Sequence, residues 1–362
     1  MSDSLLIKPV NRKILVLGGY GVTGSAVVDA ALIASWPVMT ASRRPAPDRL
    51  IDGRAAPLHV SVDLLSKSST SDAFAGFADV TDVVYCSYVE KGSNAAAIEP
   101  NVAMLANALE ALITRGAKLQ HVVLFGGGKA YGPHLGAYKT PAKESDPRIL
   151  GPMFYYDQED FLKDWGSRNS VPWTVLRPDA IFGPSLGSPM NLINGMTVYA
   201  AVCRELNVPL RFPGTHQAWN ALTQSTDAGI LGRATLWALT AEAAEGQIFN
   251  VINGDQFRWR QLWPELGSLY DMPLAEPQPM SLTEQMADKA PVWEKIIEKY
   301  NLRPTAWADV VAWQFLDAIF GIGYDMLQST IKIRKAGFHD CIDSHESLKL
   351  QVSRLRGARI VP

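Results

Sequence analysis

A phenol and an ammonium group that can meet at one oxygen are the most reactive equipment this chain carries, and both lie within residues 126–160. The stretch opens on Gly126, Gly127 and Gly128 at the end of an apolar run over 121–125, and Lys129 and Tyr131 follow at once. After a Pro/Gly-rich loop, Tyr155 and Tyr156 enter a helical segment that continues Asp157, Gln158, Glu159, Asp160. A neutral phenol donates to an oxygen that is gaining charge, and a nearby ammonium favours the phenolate and eases proton transfer. The helical spacing that would join the two groups, Tyr-x-x-x-Lys, is missing. Glu159 stands four residues after Tyr155 and Asp160 four after Tyr156, so the ammonium comes from elsewhere, and Lys129 is the candidate catalytic partner of Tyr155. The competing readings are a tyrosine pair that only packs at a helix start and a lysine that is only solvated. Asp157, Glu159 and Asp160 suit the positive end of a helix dipole.

An oxygen gains charge when hydride reaches the carbon system attached to it, and the N-terminal segment carries the signals of a hydride carrier. An apolar strand over 13–17 runs into Gly18-Gly19-Tyr20-Gly21-Val22-Thr23-Gly24, followed by an amphipathic helix over 22–34. In this G-x-x-G-x-x-G turn Gly18 permits the tight bend, Gly21 lets the backbone approach a pyrophosphate, and Gly24 allows helix to pack on strand, with the phosphate at the helix N-terminus beside Val22 and Thr23. A second strand over 37–41 ends in Ser42-Arg43-Arg44. An acidic residue there would suit the ribose 2′-hydroxyl of NAD, whereas arginines clamp a 2′-phosphate, so NADPH/NADP+ is the expected coenzyme. Two solvated surface arginines are the alternative. Asp63, followed by Leu64, ends a third strand over 58–62 and either accepts from the adenine amino group or merely forms a turn.

The remaining elements place these groups on one sheet edge. Strands are expected over 83–86, 121–125, 173–176 and 248–252, with a crossover helix over 101–112. Ser87 and Tyr88 follow the fourth strand, and Pro178 and Ile181 the sixth. This alternation predicts an α/β fold: a Rossmann-like, doubly wound parallel sheet of seven strands whose ligands sit at the carboxyl edge. From about 185 the pattern becomes long helices, over 190–206, 225–239, 259–270, 281–300 and 307–320. The expected division is a coenzyme-binding domain over 1–184 and a mainly helical substrate lobe over 185–362, interleaved so that part of it returns to the first domain.

Composition excludes several functions. Of 362 residues, 47% are hydrophobic and 19% charged, and the net charge of −2 offers no footprint for nucleic acid or an anionic membrane. Cys86, Cys203 and Cys341 are too few and too scattered for a disulfide framework or a zinc site, and the histidines show no ligand spacing, so no metal is expected. The N-terminal residues lack the apolar core of a signal peptide, and the apolar segment 310–327 contains Gln314, Asp317 and Asp325, which suits a buried helix or a subunit contact better than a membrane span. A cytoplasmic enzyme is the expectation.

Taken together, the motifs resemble those of the progesterone 5β-reductase and iridoid synthase-like enone reductases, an atypical branch of the extended short-chain dehydrogenases. The resemblance rests on the Gly18 to Gly24 turn, Ala41-Ser42-Arg43-Arg44, Gly128-Lys129-Ala130-Tyr131, Phe154-Tyr155-Tyr156-Asp157, Arg177-Pro178-Asp179-Ala180-Ile181-Phe182-Gly183, Met190-Asn191-Leu192, Val198-Tyr199-Ala200-Ala201 and the closing Ile360-Val361-Pro362. It implies NADPH-dependent 1,4-reduction of an alkene conjugated to a carbonyl, with Tyr155 and Lys129 catalytic and Tyr156 a structural neighbour. The implied substrate is a small apolar enone or enal, its pocket lined by Tyr88, Tyr131, Ala180, Met190 and Phe338, and family precedent implies a homodimer. Three departures bear on that pocket: Ala130 stands where the family has His, Tyr88 where it has Trp, and Ala180 where it has Asn. Two other functions remain open from the residues alone, direct reduction of a carbonyl and non-catalytic sensing of NADP(H).

Overall fold

The computed structural model describes residues 11–185, 188 and 190–362. Its strands are β1 (Ile14–Leu17), β2 (Val38–Ser42), β3 (His59–Ser61), β4 (Asp82–Tyr85), β5 (His121–Phe125), β6 (Trp173–Pro178), β7 (Ile181–Phe182), β8 (Thr226–Asp227) and β9 (Gln247–Val251). Seven of them form one parallel sheet in the order β3-β2-β1-β4-β5-β6-β9, while β7 pairs with β8 apart from it. Every sheet strand expected from the apolar runs is present, with ends within two residues.

Helices α1 (Val22–Ile33), α2 (Lys67–Ala73), α3 (Asn94–Thr114) and α4 (Phe154–Asn169) alternate with the first six strands. Beyond β7 come α5 (Leu192–Glu205), α6 (His216–Asn220), α7 (Ala228–Ala238), α8 (Trp259–Leu269), α9 (Leu282–Gln285), α10 (Ala290–Tyr300), α11 (Trp307–Val310), α12 (Trp313–Phe320), α13 (Ile331–Lys335) and α14 (Ser344–Gly357). One face of the sheet is covered by α2, α3 and α4, whose Phe74, Leu105, Leu109 and Trp165 are buried against it. The other face holds α1 and α7, with Val27, Val28, Ile230 and Leu231 between them and the strands. Strands buried on both faces need this double cover, which is why they read as continuous apolar runs.

A separate core joins α5, α8, α10, α12 and α14. Phe212 lies at its centre, with ring centroids 5.1 Å from Trp219, 5.2 Å from Trp263 and 5.1 Å from Phe320. Two ties bring this lobe back to the sheet and to the start of α7 that covers it. Strand β9 pairs with β6, and α14 donates from Ser347 Oγ and Gln351 Nε2 to Asp227 Oδ2 at 2.6 and 2.7 Å.

Several boundaries differ from the sequence expectation. Helix α3 starts at Asn94, with Ser93 Oγ accepting from Ala96 N–H, so it passes through Pro100 instead of beginning after it; the ring's fixed φ is helical, and the bond to the Ala96 carbonyl that its missing N–H forfeits is borne by a helix of 21 residues with a buried face. The helix expected over 281–300 is two, because Pro291 opens α10 and cannot continue a helix before it. The one expected over 307–320 is also two, with Val311 extended between them. Asp317 in α12 accepts from the backbone N–H groups of Leu282 and Thr283 at 2.6 and 3.0 Å, which explains an acid within the apolar 310–327 segment. Among the described residues α3 alone is long and apolar enough to cross a membrane; here its Leu105, Leu109 and Leu112 belong to the sheet core.

Candidate active site

The order of the sheet reverses between β1 and β4, and this is where an open α/β sheet leaves a crevice at its carboxyl edge. Gly18 takes a left-handed φ of 82°, and a Cβ on it would stand 3.0 Å from Ser87 Oγ, so the turn lies directly against the end of β4. At Gly24 a Cβ would be 2.2 Å from the Gly18 carbonyl oxygen; only glycine lets α1 enter so close to its own turn. Gly21 precedes α1, whose first N–H groups have no partner within the helix. The segment after β7 lies against the start of α1, since a Cβ on Gly183 would meet Val22 Cγ2 at 3.3 Å. Pro178 ends β6 opposite Val251, and Ile181 pairs with Thr226.

At the end of β2, Arg43 and Arg44 are exposed and form no ion pair among the described residues. Ser42 Oγ donates to the Arg44 carbonyl at 2.9 Å and shapes the bend between them. An apolar cavity of about 310 Å³ opens beside Arg44, lined also by Tyr20, Ser25, Val28 and Leu50. Asp63 accepts from Leu65 N–H at 3.1 Å and so forms a local turn, while Leu64 is buried in the core.

Past β5 the chain makes a tight turn over Gly128–Tyr131 that Gly132 ends in the left-handed region. Tyr155 and Tyr156, in the first turn of α4, point different ways from it. Tyr156 is buried, its hydroxyl donating to the Ala130 carbonyl and accepting from Ile149 N–H at 3.1 Å. It thereby fastens the Lys129 turn to α4. The Tyr155 hydroxyl instead rests on Gly127, 3.1 Å from where a Cβ would stand, so any side chain there would displace the phenol. Burial pushes the Tyr155 phenol above its ordinary pKa, and the neighbouring Tyr88, Asp179 and Glu90 add to the shift. At neutral pH it is a donor. Lys129 is exposed on the same turn, two residues from Gly127, and among the described residues no hydrogen bond joins it to Tyr155.

The helical position that would hold a lysine is occupied by an acid with a partner of its own. Arg177, at the end of β6, donates to Glu159 Oε1 at 2.7 Å and Oε2 at 2.8 Å through Nη2, and through Nε to Oε1 at 3.1 Å. Both residues are about 5% exposed or less. Burial works against the guanidinium charge, and Glu159 with Tyr131 outweighs it, holding Arg177 above its ordinary range. Arg177 Nη1 also donates to the Tyr131 hydroxyl at 3.1 Å, which in turn donates to Asn250 Oδ1 at 2.6 Å. The dipole explanation for these acids is thus incomplete: Glu159 belongs to a buried ion pair, and Asp160 pairs with Arg148 at the surface.

On the open side of Tyr155, Tyr88 is 43% exposed and its hydroxyl lies 3.5 Å from Met190 Sδ, so these two expected pocket residues come together. Ala180, held at a φ of 38°, packs against the lobe core. Two others do not join them. Tyr131 is buried in the Arg177–Asn250 network, and Phe338 packs in the sheet core, 5.6 Å between ring centroids from Trp237. A phenol whose oxygen is engaged by Arg177 and Asn250, and a ring between β9 and α7, do not face the crevice. Sequence reasoning did not single out Asp179 or Gln328, which crowd Gly128 from behind: its Cβ would be 2.9 Å from Asp179 Oδ1 and 2.7 Å from Gln328 Nε2. The signal for Asp179 was its place between Pro178 and Ala180; Gln328 carried none.

The PRISE-like Rossmann-fold domain matches residues 14–362, nearly the whole chain. The chain belongs to this family. Similar curated proteins include an (S)-8-oxocitronellyl enol synthase of Camptotheca acuminata, 33% identical with 96% of this chain and 93% of that protein covered. The 3-oxo-Delta(4,5)-steroid 5-beta-reductase of Arabidopsis thaliana is 30% identical, covering 96% of this chain and 92% of that protein. Among solved structures, UDP-glucose 4-epimerase of Thermus thermophilus in complex with NAD superposes with a TM-score of 0.65 at 20% identity, over 96% of this chain and 99% of that one, and shows the shared fold.

Within the PRISE-like fold, the three departures have clear settings. Ala130 is buried under Tyr156, which takes its carbonyl, so a larger side chain there would need room behind the turn. Tyr88 presents a phenol at the crevice and turns it toward Met190. Ala180 presents only a methyl, packed against the lobe core, at a left-handed position that side chains rarely adopt.

Proposed function

We propose that this chain is an NADPH-dependent reductase of alkenes conjugated to a carbonyl group. What carries the reading is Tyr155: a phenol, protonated at neutral pH, seated on Gly127 at the carboxyl edge of a dinucleotide-type sheet, without a helical lysine. The names of the curated relatives support it, since a 3-oxo-Δ4,5-steroid is an enone and its 5β-reduction saturates the alkene. The coenzyme fits what the chain offers. A Cβ on Gly21 would meet only the Gly18 carbonyl oxygen, at 3.7 Å, so this side of the turn is open to a ligand; the N–H groups at the start of α1 suit a phosphate, and Arg43 with Arg44 suits a 2′-phosphate.

When bound, the nicotinamide supplies hydride to the β-carbon of the alkene. Negative charge then collects on the carbonyl oxygen, and Tyr155 Oη donates to it as the enolate forms. Because that charge exists mainly in the transition state, the bond lowers the barrier more than it strengthens ground-state binding. Lys129 either holds the nicotinamide ribose or assists proton transfer from the phenol. Tyr156 and the Glu159–Arg177 pair keep α4 and the turn in register, so the phenol has one position to occupy. Tyr88 and Met190 shape the substrate side, and an apolar enone or enal suits their surface.

NADPH oxidation against a panel of small enones and enals, with products identified, tests the reading. Saturated carbonyl compounds are expected; allylic alcohols would mean direct carbonyl reduction, and tight NADPH binding without turnover would mean a sensor. For the coenzyme, Arg43→Ala with Arg44→Ala is expected to weaken NADPH binding by about 10- to 100-fold, the loss of one or two charge-assisted hydrogen bonds, while NADH affinity changes little. Titration by nicotinamide fluorescence checks it, and equal losses for both coenzymes would overturn the assignment.

A further inference from the structure

Asp179 brings a carboxyl to the back of the turn that seats Tyr155. Its backbone N–H donates to Thr226 Oγ1 at 3.0 Å and its Oδ1 accepts from Ala180 N–H at 3.0 Å, which fixes the side chain at the end of β6. Its Oδ2 is buried without a hydrogen-bond partner, as are both amide atoms of Gln328. Successive residues of the turn separate this acid from the phenol. A Cβ on Gly128 would stand 2.9 Å from Asp179 Oδ1, and one on Gly127 would stand 3.1 Å from Tyr155 Oη.

The charges around this carboxyl are few. Tyr155 from α4 and Tyr138 from the following loop both feel a charge on Asp179, which raises their phenols further. Gln328 is neutral, Lys129 points to solvent from the intervening turn, and Arg177, two residues earlier, is taken by Glu159 and Tyr131. Among the described residues, no cation pairs with Asp179. Burial pushes its carboxyl up to about 6, against the hydrogen bond from Ala180 N–H and the nearby Gln328 amide.

We propose that Asp179 is a positioning residue that acts through Tyr155: ionised, it opposes the negative charge that develops on the substrate oxygen, and protonated, it leaves the phenol free to stabilise it. The inference rests on the enone-reductase reading. The sign follows from the charge. As pH rises through the titration of Asp179, a negative charge appears behind the phenol, the enolate-like transition state is disfavoured, and hydride transfer slows.

Single-turnover oxidation of bound NADPH by 2-cyclohexenone, followed from pH 5 to 8, tests this together with the 13C resonance of the Tyr155 ζ-carbon in the NADP+ complex. That resonance is assigned by its loss in Tyr155→Phe. In the native protein the rate is expected to fall about five- to tenfold across this range, a change comparable to one pK unit, and the Tyr155 resonance to shift with the same midpoint. In Asp179→Asn both inflections vanish and the rate stays near its low-pH value, so the variant is faster than the native protein at pH 8. A merely structural role would lower the rate at every pH. Native-like inflections in Asp179→Asn, or a native rate that does not fall as pH rises, would overturn the proposal. Should Asp179→Asn not fold, Asp179→Ser and the native profile carry the same outcomes. Should native protein reduce no enone, the functional reading fails, while the Tyr155 resonance still decides whether Asp179 acts on the phenol.

Discussion

Tyr155→Phe is expected to lower the rate of hydride transfer by about 100- to 1,000-fold, the loss typical of one donor at a developing oxyanion, with NADPH affinity within about twofold of native. The ring, its packing on Phe154 and its seat on Gly127 all survive, and only the hydroxyl is lost. Stopped-flow oxidation of NADPH by a small enone measures the first quantity and fluorescence titration the second. Lys129→Ala in the same experiment separates the two roles open to the lysine. A loss confined to coenzyme affinity assigns it to the ribose, and a loss in the rate of the bound complex assigns it to proton transfer. A Phe variant that turns over at the native rate would remove Tyr155 from the chemistry.

Glu159→Ala should cost on the order of 3–5 kcal/mol in folding stability, because it leaves the Arg177 guanidinium charged, buried and unpaired. Chemical denaturation monitored by tryptophan fluorescence measures it. Glu159→Lys, which would restore the Tyr-x-x-x-Lys spacing, is expected to be worse, since it sets two cations against each other inside the protein. Its failure to fold would show why the helical lysine is excluded here, and a stable, native-like Glu159→Lys protein would contradict the ion pair's structural role. The pair also anchors Tyr131 and, through it, Asn250 on β9, so its loss should reach the sheet edge beyond α4.

The parts of this structure that were legible in the sequence are those set by local pattern. Strands buried on both faces announce themselves as apolar runs, and the Gly18 to Gly24 turn is legible because Gly18, Gly19 and Gly24 each meet a separate conformational or steric demand. The placement of Tyr155 beside the Gly126–Gly128 turn was legible too, since Gly127 leaves room for its hydroxyl. What escaped depends on neighbours distant in the chain. Tyr131 looked like a pocket wall until Asn250, 119 residues away, took its hydroxyl. Phe338 had the composition of a pocket residue, and only the packing of α7 against β9 decides that it faces the core. Glu159 satisfied a helix-dipole explanation so well that its partner on β6 went unsuspected. The breaks before α10 and α12 were invisible to periodicity because the apolar spacing runs on across them, although Pro291 was there to be read.

The central claim is that hydride goes to the carbon β to the carbonyl while Tyr155 holds the oxygen. Reduction of a small enone with NADPH carrying deuterium at nicotinamide C4, in ordinary water, tests it most directly through the position of the label. The account predicts a saturated ketone with deuterium on the β-carbon and ordinary hydrogen, drawn from solvent, on the α-carbon. Deuterium on the carbinol carbon of an allylic alcohol would contradict it and make the protein a carbonyl reductase.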